Sequence, residues 1–271
     1  MKAVTYNDTC LKLSEVEFSR EVFISQNLIS ESLAGKYRYM YKVLLAFTEP
    51  QTYRSSDSDI IGHSGLYDLI LTYSQAVLNT CPNARPLYFG TPWVDDYTGT
   101  KHFCVSFICG SKSHLAGHRL RHVVFRLSDI AIPTFFWVSS KVKSPALKGL
   151  QYPAGVDKSL LFKDTQFHIA IENCKEQSYF TEKITDCFVT RTVPVYWGCP
   201  NIGDFFNLDG IITFDDERDL VEKLNDLNSD SYKKYRDAVE DNYRLVQPYR
   251  VSPTERVRLA IEREMSYAKQ S

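Results

Sequence analysis

A repeated order of apolar strand, short loop and amphipathic helix constrains the fold of this chain more than any other feature. The segment His102–Cys109 is almost continuously apolar, which is typical of a strand buried on both faces of a parallel sheet. A loop of small residues follows it, and residues 118–127 have apolar side chains at helical spacing. The same order recurs in the strand Phe167–Ile171, a helix over 179–190 and the strand Val193–Trp197. Because parallel strands need such crossovers, we predict an α/β protein.

The N-terminal part of the chain indicates a second set of shorter elements. Strands are predicted at Tyr41–Phe47, Tyr67–Tyr73 and 85–89, with a polar loop at 54–59 between the first two. Residues 90–99 are rich in turn formers and therefore form the predicted linker to the second half of the chain.

The length of 271 residues is enough for two domains of ordinary size. The apolar fraction of 44% excludes a disordered chain. We predict an N-terminal domain over residues 1–99, a C-terminal domain over 100–250 and a C-terminal helix over 251–271. The polar segment 139–155 contains two prolines and two glycines and is predicted to be a surface loop.

The balance of charged residues argues against a general nucleic-acid-binding protein. Lys and Arg number 32 and Asp and Glu 33, so the basic surplus of a nucleic-acid binder is missing. No run approaches the roughly 20 apolar residues that a membrane helix needs. The first residues also lack the basic and apolar segments of a signal peptide. We therefore expect a cytoplasmic protein, or one whose targeting segment lies outside this sequence.

Cysteine and histidine spacing does not favour a metal site. The seven cysteines are odd in number and none forms a CxxC pair, which argues against a disulfide framework or a zinc ribbon. His114, His118 and His122 would share one helix face, but no Cys, Asp or Glu lies beside them in the sequence. The favoured interpretation is three histidines without a metal.

The densest group of polar residues is the segment Glu172–Lys183, which follows the strand Phe167–Ile171. Ligands of open α/β sheets bind outside the carboxyl ends of the strands. Lys183 would lie in the first turn of the next helix, where a cation opposes the helix dipole unless an anion is bound. This indicates a phosphate site, and a solvated lysine paired with Glu182 or Asp186 remains the alternative.

The run Phe167–Gly198 closely resembles the C-terminal donor-binding domain of the α-1,3/4-fucosyltransferases, glycosyltransferase family 10. The family pattern is an apolar strand, Glu-Asn, a short loop, Tyr-x-Thr-Glu-Lys, a helix and Pro-[Ile/Val]-x-x-Gly, and every element occurs here in order. Weaker similarity extends to Gly117-His-x-x-Arg121 and to Asp209–Phe214. The resemblance covers most of residues 100–250, and the N-terminal part resembles the family only loosely.

The resemblance implies a GT-B arrangement, in which two Rossmann-like domains face a cleft, here with a short N-terminal domain. It implies an inverting transfer of a sugar, typically fucose from GDP-fucose, to a hydroxyl of a glycan acceptor. It also implies that no metal or other cofactor is needed, so side chains must neutralise the diphosphate. Asp57-Ser-Asp59 has the spacing of a metal-holding pair but lies in the predicted polar loop. A cytoplasmic enzyme of this kind could lie against a membrane that carries its acceptor.

Residue roles follow from the same resemblance. Lys183 and Arg121 correspond to diphosphate-contacting residues, with Arg119 as the alternative to Arg121. Glu182 corresponds to a carboxylate that accepts ribose hydroxyls. Two further family positions near the nucleotide are occupied by Asn173 and Tyr179.

Three more residues are expected to shape this site. Glu172 is expected to anchor the loop, and direct contact with the sugar remains open. Trp197 and Gly198 are expected to form the pocket wall, although a core position is the alternative for Trp197.

The catalytic base of an inverting transfer must come from another segment. The family places it in an aromatic-Thr-x-Glu context, and Phe47-Thr48-Glu49 is the nearest match, with one residue fewer. We predict Glu49 as the base, partly desolvated at a strand end and raised in pKa. Asp95 and Asp96 are the alternatives. A transferase of another nucleotide sugar and a catalytically inactive binding homologue remain alternative functions.

Overall fold

The computed structural model describes residues 1–6, 11–139 and 157–267, together with the backbone of 150–151. Most of the predicted loop 139–155, and the end of the predicted C-terminal helix, lie outside the described residues. The chain divides into two compact units. Unit 1 comprises Met1–Phe89 and Val251–Ser271, and unit 2 comprises Gly90–Arg250.

Unit 1 is built on a five-stranded, wholly parallel sheet whose neighbours follow chain order. Its strands are β1 (Val4–Tyr6), β2 (Val22–Ser25), β3 (Tyr41–Ala46), β4 (Leu69–Thr72) and β5 (Ala84–Pro86). Its helices are α1 (Glu31–Lys36), α2 (Asp57–Gly62), α3 (Gln75–Thr80) and α8 (Pro253–Tyr267). The strands β3, β4 and β5 confirm predictions. Helix α2 begins inside the predicted polar loop, because Ser56 caps it by accepting a hydrogen bond from Asp59 N.

The C-terminal helix α8 belongs to unit 1 rather than standing alone. The Arg256 guanidinium donates to the carbonyl oxygens of Tyr88 and Phe89, and Arg85 Nε lies 2.8 Å from Glu264 Oε2. These contacts tie the end of the chain to the segment after β5.

The boundary between the units falls at Phe89 and Gly90, ten residues before the predicted one. The turn-rich segment 90–99 makes hydrogen bonds to other residues of unit 2 and therefore belongs to that unit. Trp93 N donates to Asp186 Oδ1 at 2.6 Å, and Tyr97 Oη donates to Asp164 Oδ1 at 3.2 Å.

Unit 2 contains a six-stranded parallel sheet in the order β11-β10-β9-β6-β7-β8. The first strand in the chain is central, the next two extend to one side and the last three to the other. This is the strand order of the Rossmann fold, and its topological switch point lies between β6 and β9. The strands are β6 (His102–Cys109), β7 (Thr134–Val138), β8 (Leu150–Gln151), β9 (Thr165–Ile171), β10 (Val193–Trp197) and β11 (Ile212–Thr213).

In the described part of unit 2, four helices pack around this sheet: α4 (Ala116–Val124), α5 (Glu182–Val189), α6 (Glu217–Asn225) and α7 (Ser231–Val246). The bounds of β6 and β10 match the prediction to the residue. Helix α5 begins three residues later than predicted, because Thr181 is its N-cap and accepts a hydrogen bond from Lys183 N. Tyr179 therefore lies in the loop before the helix.

The two sheets confirm the α/β fold class, since each unit has an open parallel sheet with helices. Among the described residues, no helix is both long enough and apolar enough to cross a membrane.

Candidate active site at the switch point of unit 2

A pocket of about 190 Å³ opens where the carboxyl ends of β6 and β9 meet the start of α5. Its position is the one where open α/β sheets bind ligands. Its wall includes Arg121, Glu182 and Lys183, three of the predicted site residues. Arg121 and Lys183 are 62 positions apart in the chain, and the fold brings them to the same pocket, as the sequence analysis predicted.

Glu172 anchors the loop behind this pocket. Its side chain is fully buried, and its two oxygens accept hydrogen bonds of 2.8 Å from Thr181 N and Thr181 Oγ1. Burial raises the pKa of Glu172, and the nearby Lys183 ammonium opposes that rise. The carboxylate thus fixes the N-cap of α5, as the loop-anchor hypothesis requires.

Lys183 lies in the first turn of α5, at the predicted place. Its Nζ donates to Thr181 Oγ1 at 2.9 Å and to Glu182 Oε1 at 3.1 Å, and it lies 3.6 Å from Glu172 Oε2. Burial alone would lower the pKa of Lys183, but the carboxylates of Glu182 and Glu172 outweigh that effect and raise it. The group is therefore a permanent cation in the pocket wall.

The opposite balance holds at Glu182, whose residue is 7% exposed. Burial alone would raise the pKa of Glu182, but the ammonium groups of Lys183 and Lys158 outweigh it and lower the pKa to about 2. Glu182 is thus an ionised carboxylate at neutral pH, able to accept hydrogen bonds from hydroxyl groups.

Arg121 reaches the same pocket from α4. Its Nε and Nη2 donate to Ile171 O at 3.1 and 2.9 Å, and Nη2 also donates to Asn173 Oδ1 at 2.8 Å. Burial lowers the pKa of Arg121, yet a guanidinium remains charged in proteins. Its Nη1 makes no hydrogen bond to another described residue, so two nitrogens orient the group and one is left for a ligand.

The structure discriminates between the two candidate arginines. Arg119 is exposed, and its Nη1 donates to His114 O at 2.7 Å, outside the pocket wall. Arg121, two residues further along the helix, turns toward the end of β9. Because the two arginines lie on different sides of α4, only Arg121 reaches the pocket, a choice that the sequence pattern had left open.

A close backbone approach brings α4 to the end of β9. Gly117 N donates to Asn173 O at 3.0 Å, and a Cβ on Gly117 would lie 1.8 Å from Glu172 O. Only glycine fits this position without moving backbone. Asn173 is further fixed by His118 Nε2, 3.1 Å from its Oδ1.

Three other predicted positions do not line the pocket: Trp197, Gly198 and Tyr179. Trp197 is 9% exposed, packs in the hydrophobic core of unit 2 and donates from Nε1 to Asp215 O at 3.1 Å, so the core interpretation applies. Gly198 packs against Glu172, because a Cβ there would lie 2.5 Å from Glu172 Cγ. Tyr179 is buried in the loop that precedes α5.

The predicted base has a different environment. Glu49 follows β3 in unit 1, as expected, but the residue is exposed, so the expected desolvation is not found. Its backbone oxygen accepts a hydrogen bond of 3.1 Å from Tyr73 Oη. Of the alternatives, Asp95 is exposed, and Asp96 accepts a hydrogen bond from Arg250, which holds the pKa of Asp96 below its usual range.

The sequence analysis missed Lys158, which lines the pocket from a short 3₁₀ helix, Lys158–Leu161. Its Nζ lies 2.6 Å from Oδ2 of the buried Asp186 and 5.0 Å from the centre of the Trp93 ring. No motif marks this lysine, because its place depends on a partner 28 residues away.

His168 also lines the pocket and was not predicted. Its Nδ1 lies 2.8 Å from Ser106 Oγ, and its ring packs 4.5 Å from that of Phe162. Burial lowers the pKa of His168 to about 3, so the imidazole is neutral.

The histidines with fourfold spacing make hydrogen bonds within the protein. His118 Nδ1 accepts from Leu115 N, and His122 Nε2 lies 3.1 Å from Gly110 O. Within the described residues, no three His, Cys, Asp or Glu side chains are grouped as a metal site. The carboxylates of Asp57 and Asp59 interact with the residues around α2, at Arg54, Ser74 and Ser56.

Comparison with known proteins agrees with this arrangement. Residues 150–258 match the sequence model of the glycosyltransferase family 10 (fucosyltransferase) C-terminal domain. Alpha-(1,3)-fucosyltransferase FucT of Helicobacter pylori is 29% identical over 68 residues, a segment that spans 25% of this chain and 14% of that protein. The resemblance to family 10 is thereby confirmed for the C-terminal part of the chain.

Solved structures extend the likeness to the fold of most of the chain. An α1,3-fucosyltransferase crystallised with GDP-fucose has a TM-score of 0.54 at 14% identity, over 83% of this chain and 70% of that one. The GtfA/B complex has a TM-score of 0.61 at 12% identity, over 93% and 58%. Anabaena HepE, crystallised with UDP-glucose, has a TM-score of 0.60 at 10% identity, over 91% and 78%. The fold is that of the GT-B glycosyltransferases.

Proposed function

We propose that this protein is an inverting fucosyltransferase that moves fucose from GDP-fucose to a hydroxyl of a glycan. The observation that carries the proposal is that Arg121 and Lys183 both line the switch-point pocket, with Lys183 inside the segment that matches family 10. A leaving nucleoside diphosphate needs such fixed positive charges, because they stabilise the negative charge that develops as the glycosidic bond breaks.

The proposed roles divide the donor among the pocket residues. Lys183 and Arg121 bind the diphosphate, Glu182 accepts hydrogen bonds from the ribose hydroxyls, and Asn173 orients Arg121. Tyr179 lies in the same loop and is proposed to contact the nucleotide. Glu172 acts on the donor only through Thr181 and the start of α5.

The proposed reaction is a single displacement at the anomeric carbon. Glu49 removes the proton of the acceptor hydroxyl, whose oxygen forms the new bond as the bond to the diphosphate breaks. The bonding electrons leave with GDP, and the configuration inverts. The three cations in the pocket wall, Arg121, Lys158 and Lys183, support a mechanism in which side chains neutralise the diphosphate without a metal.

A thermal-shift panel of GDP, UDP, CMP and dTDP tests the donor class. GDP at 100 times its Kd should stabilise the protein by about 2.7 kcal/mol. Stabilisation by UDP instead would indicate another nucleotide-sugar donor, such as the one crystallised with HepE.

Activity assays then separate an enzyme from a binding protein. We expect hydrolysis of GDP-fucose above the buffer background, transfer to a suitable glycan, and activity that survives EDTA. Binding of GDP without turnover of any sugar would indicate a homologue that has lost catalysis. Loss in EDTA with recovery in manganese would overturn the proposal of metal independence.

A further inference from the structure

We infer that Lys158 is a third diphosphate-binding residue of the switch-point pocket, held in position by Asp186. This inference rests on the function proposed above, because it names a further contact to the same donor. Lys158 lies before the motif quoted above, which begins at the strand Phe167–Ile171, and the inference comes from the residues that surround it.

The first argument is the charge of the pocket wall. Its ionisable residues are Arg121, Lys158, His168, Glu182 and Lys183. His168 is neutral, and the wall holds three cations, of which Lys183 also pairs with Glu182 and Glu172, and Lys158 with Asp186. The wall therefore offers three cationic groups to the oxygens of a diphosphate, and without Lys158 it offers two.

The second argument is the way in which Lys158 is held. The side chain of Asp186 is fully buried, and its Oδ2 lies 2.6 Å from Lys158 Nζ. Its other oxygen accepts from Trp93 N at 2.6 Å. A flexible lysine side chain loses conformational entropy when it is fixed in one position. Here Asp186 already fixes Lys158, so ligand binding does not have to supply that entropic cost.

The third argument is the rigidity of the short helix that supplies Lys158. Asp157 caps it by accepting from Ser159 N at 3.0 Å, and its last carbonyl, Leu161 O, accepts from the buried Ser106 Oγ. The ammonium thus projects from a turn fixed at both ends, yet its side chain is 26% exposed and reaches the pocket.

A purely structural role is the competing explanation, since Lys158 also neutralises the buried carboxylate of Asp186. The variant Lys158→Met removes the cation but leaves that carboxylate unpaired, which could disturb the fold. The double variant Lys158→Met/Asp186→Asn removes both charges, and the Asn Oδ1 can still accept from Trp93 N. It therefore repairs a structural defect without restoring a phosphate contact.

The test measures binding of GDP, guanosine and inorganic pyrophosphate by calorimetry in EDTA. We expect both variants to bind GDP and pyrophosphate at least about tenfold more weakly than the wild type, with guanosine unchanged, because the lost contact is charge-assisted. The matched control is Lys233→Met, whose lysine is 79% exposed and remote from the pocket wall. It should bind all three ligands as the wild type does.

The outcomes separate this inference from the proposed function. Recovery of GDP affinity in the double variant, or an equal loss for guanosine, would overturn the phosphate contact and leave the fucosyltransferase proposal intact. Binding of pyrophosphate and UDP but not GDP, with the same dependence on Lys158, would support the contact and overturn the donor. A wild type that binds neither pyrophosphate nor any nucleoside diphosphate would overturn both.

Discussion

The two units place their proposed functional residues in contrasting environments. In unit 2, Lys183 donates hydrogen bonds to Thr181 and Glu182. Arg121 is held by one backbone acceptor, Ile171 O, and one side-chain acceptor, Asn173 Oδ1. In unit 1, the predicted base Glu49 is exposed at the end of β3. The charged groups proposed to bind a diphosphate are thus held by other residues of unit 2, whereas the proposed base is exposed. The comparison predicts that changes in unit 2 affect binding and stability, and that changes at Glu49 affect turnover alone.

The largest effect is expected at Glu49. The variant Glu49→Gln keeps the shape of the side chain and removes its basicity, so transfer should fall by about 10²–10⁴-fold, the usual contribution of a general base. GDP affinity and melting temperature should stay near those of the wild type, because the residue is exposed. Near-normal kcat in Glu49→Gln would exclude this assignment, and Asp95 and Asp96 would be tested next.

Lys183 should show the reverse behaviour. Replacing it with alanine removes a charged hydrogen-bond donor, and GDP binding should weaken by roughly 1.5–3 kcal/mol. Calorimetric titration measures the change, and Lys233→Ala, at an exposed lysine, is the control. Equal GDP affinity in Lys183→Ala and the wild type would show that Lys183 does not bind the phosphates.

The packing of α4 against the end of β9 gives a third prediction. In Gly117→Ala the new Cβ would overlap Glu172 O, a backbone atom, so the protein should lose roughly 1–3 kcal/mol of stability. Gly35→Ala is the matched control in unit 1, where no heavy atom lies within 4 Å of the added Cβ. Denaturant unfolding compares them, and equal stability of the two variants would contradict the tight contact.

The smallest effect concerns the pH dependence of stability. The folded-state pKa of Glu182 is about 2, below its ordinary value of 4.5. Its ionised form therefore stabilises the fold above about pH 4.5, and this contribution is lost as the pH falls toward 2. Glu182→Gln should be less stable than the wild type by roughly 1–3 kcal/mol at neutral pH, and the gap should close in acid. Unfolding measured from pH 7 to 3 checks this, and a gap independent of pH would point to packing instead.

The sequence by itself determined the elements whose signals are local. The apolar runs His102–Cys109 and Val193–Trp197 are strands with those bounds. A strand that is buried on both faces has a continuous apolar sequence, so it can be predicted without knowing which strands it pairs with. The strands β1 and β2 were not predicted from the sequence. The family pattern similarly located Lys183, Glu182 and Arg121, which the fold then brought to one pocket.

Only the tertiary structure decided which charged side chains face that pocket and which ones hold other parts of the protein in place. Glu172 holds Thr181, Trp197 packs in the core, and Lys158 joins the pocket wall although the sequence analysis did not single it out. The exposure of Glu49 was likewise beyond the sequence pattern. The physical reason is that burial and charge pairing depend on residues far apart in the chain: Lys158 is positioned by Asp186, and Arg121 by the carbonyl of Ile171, 50 residues away.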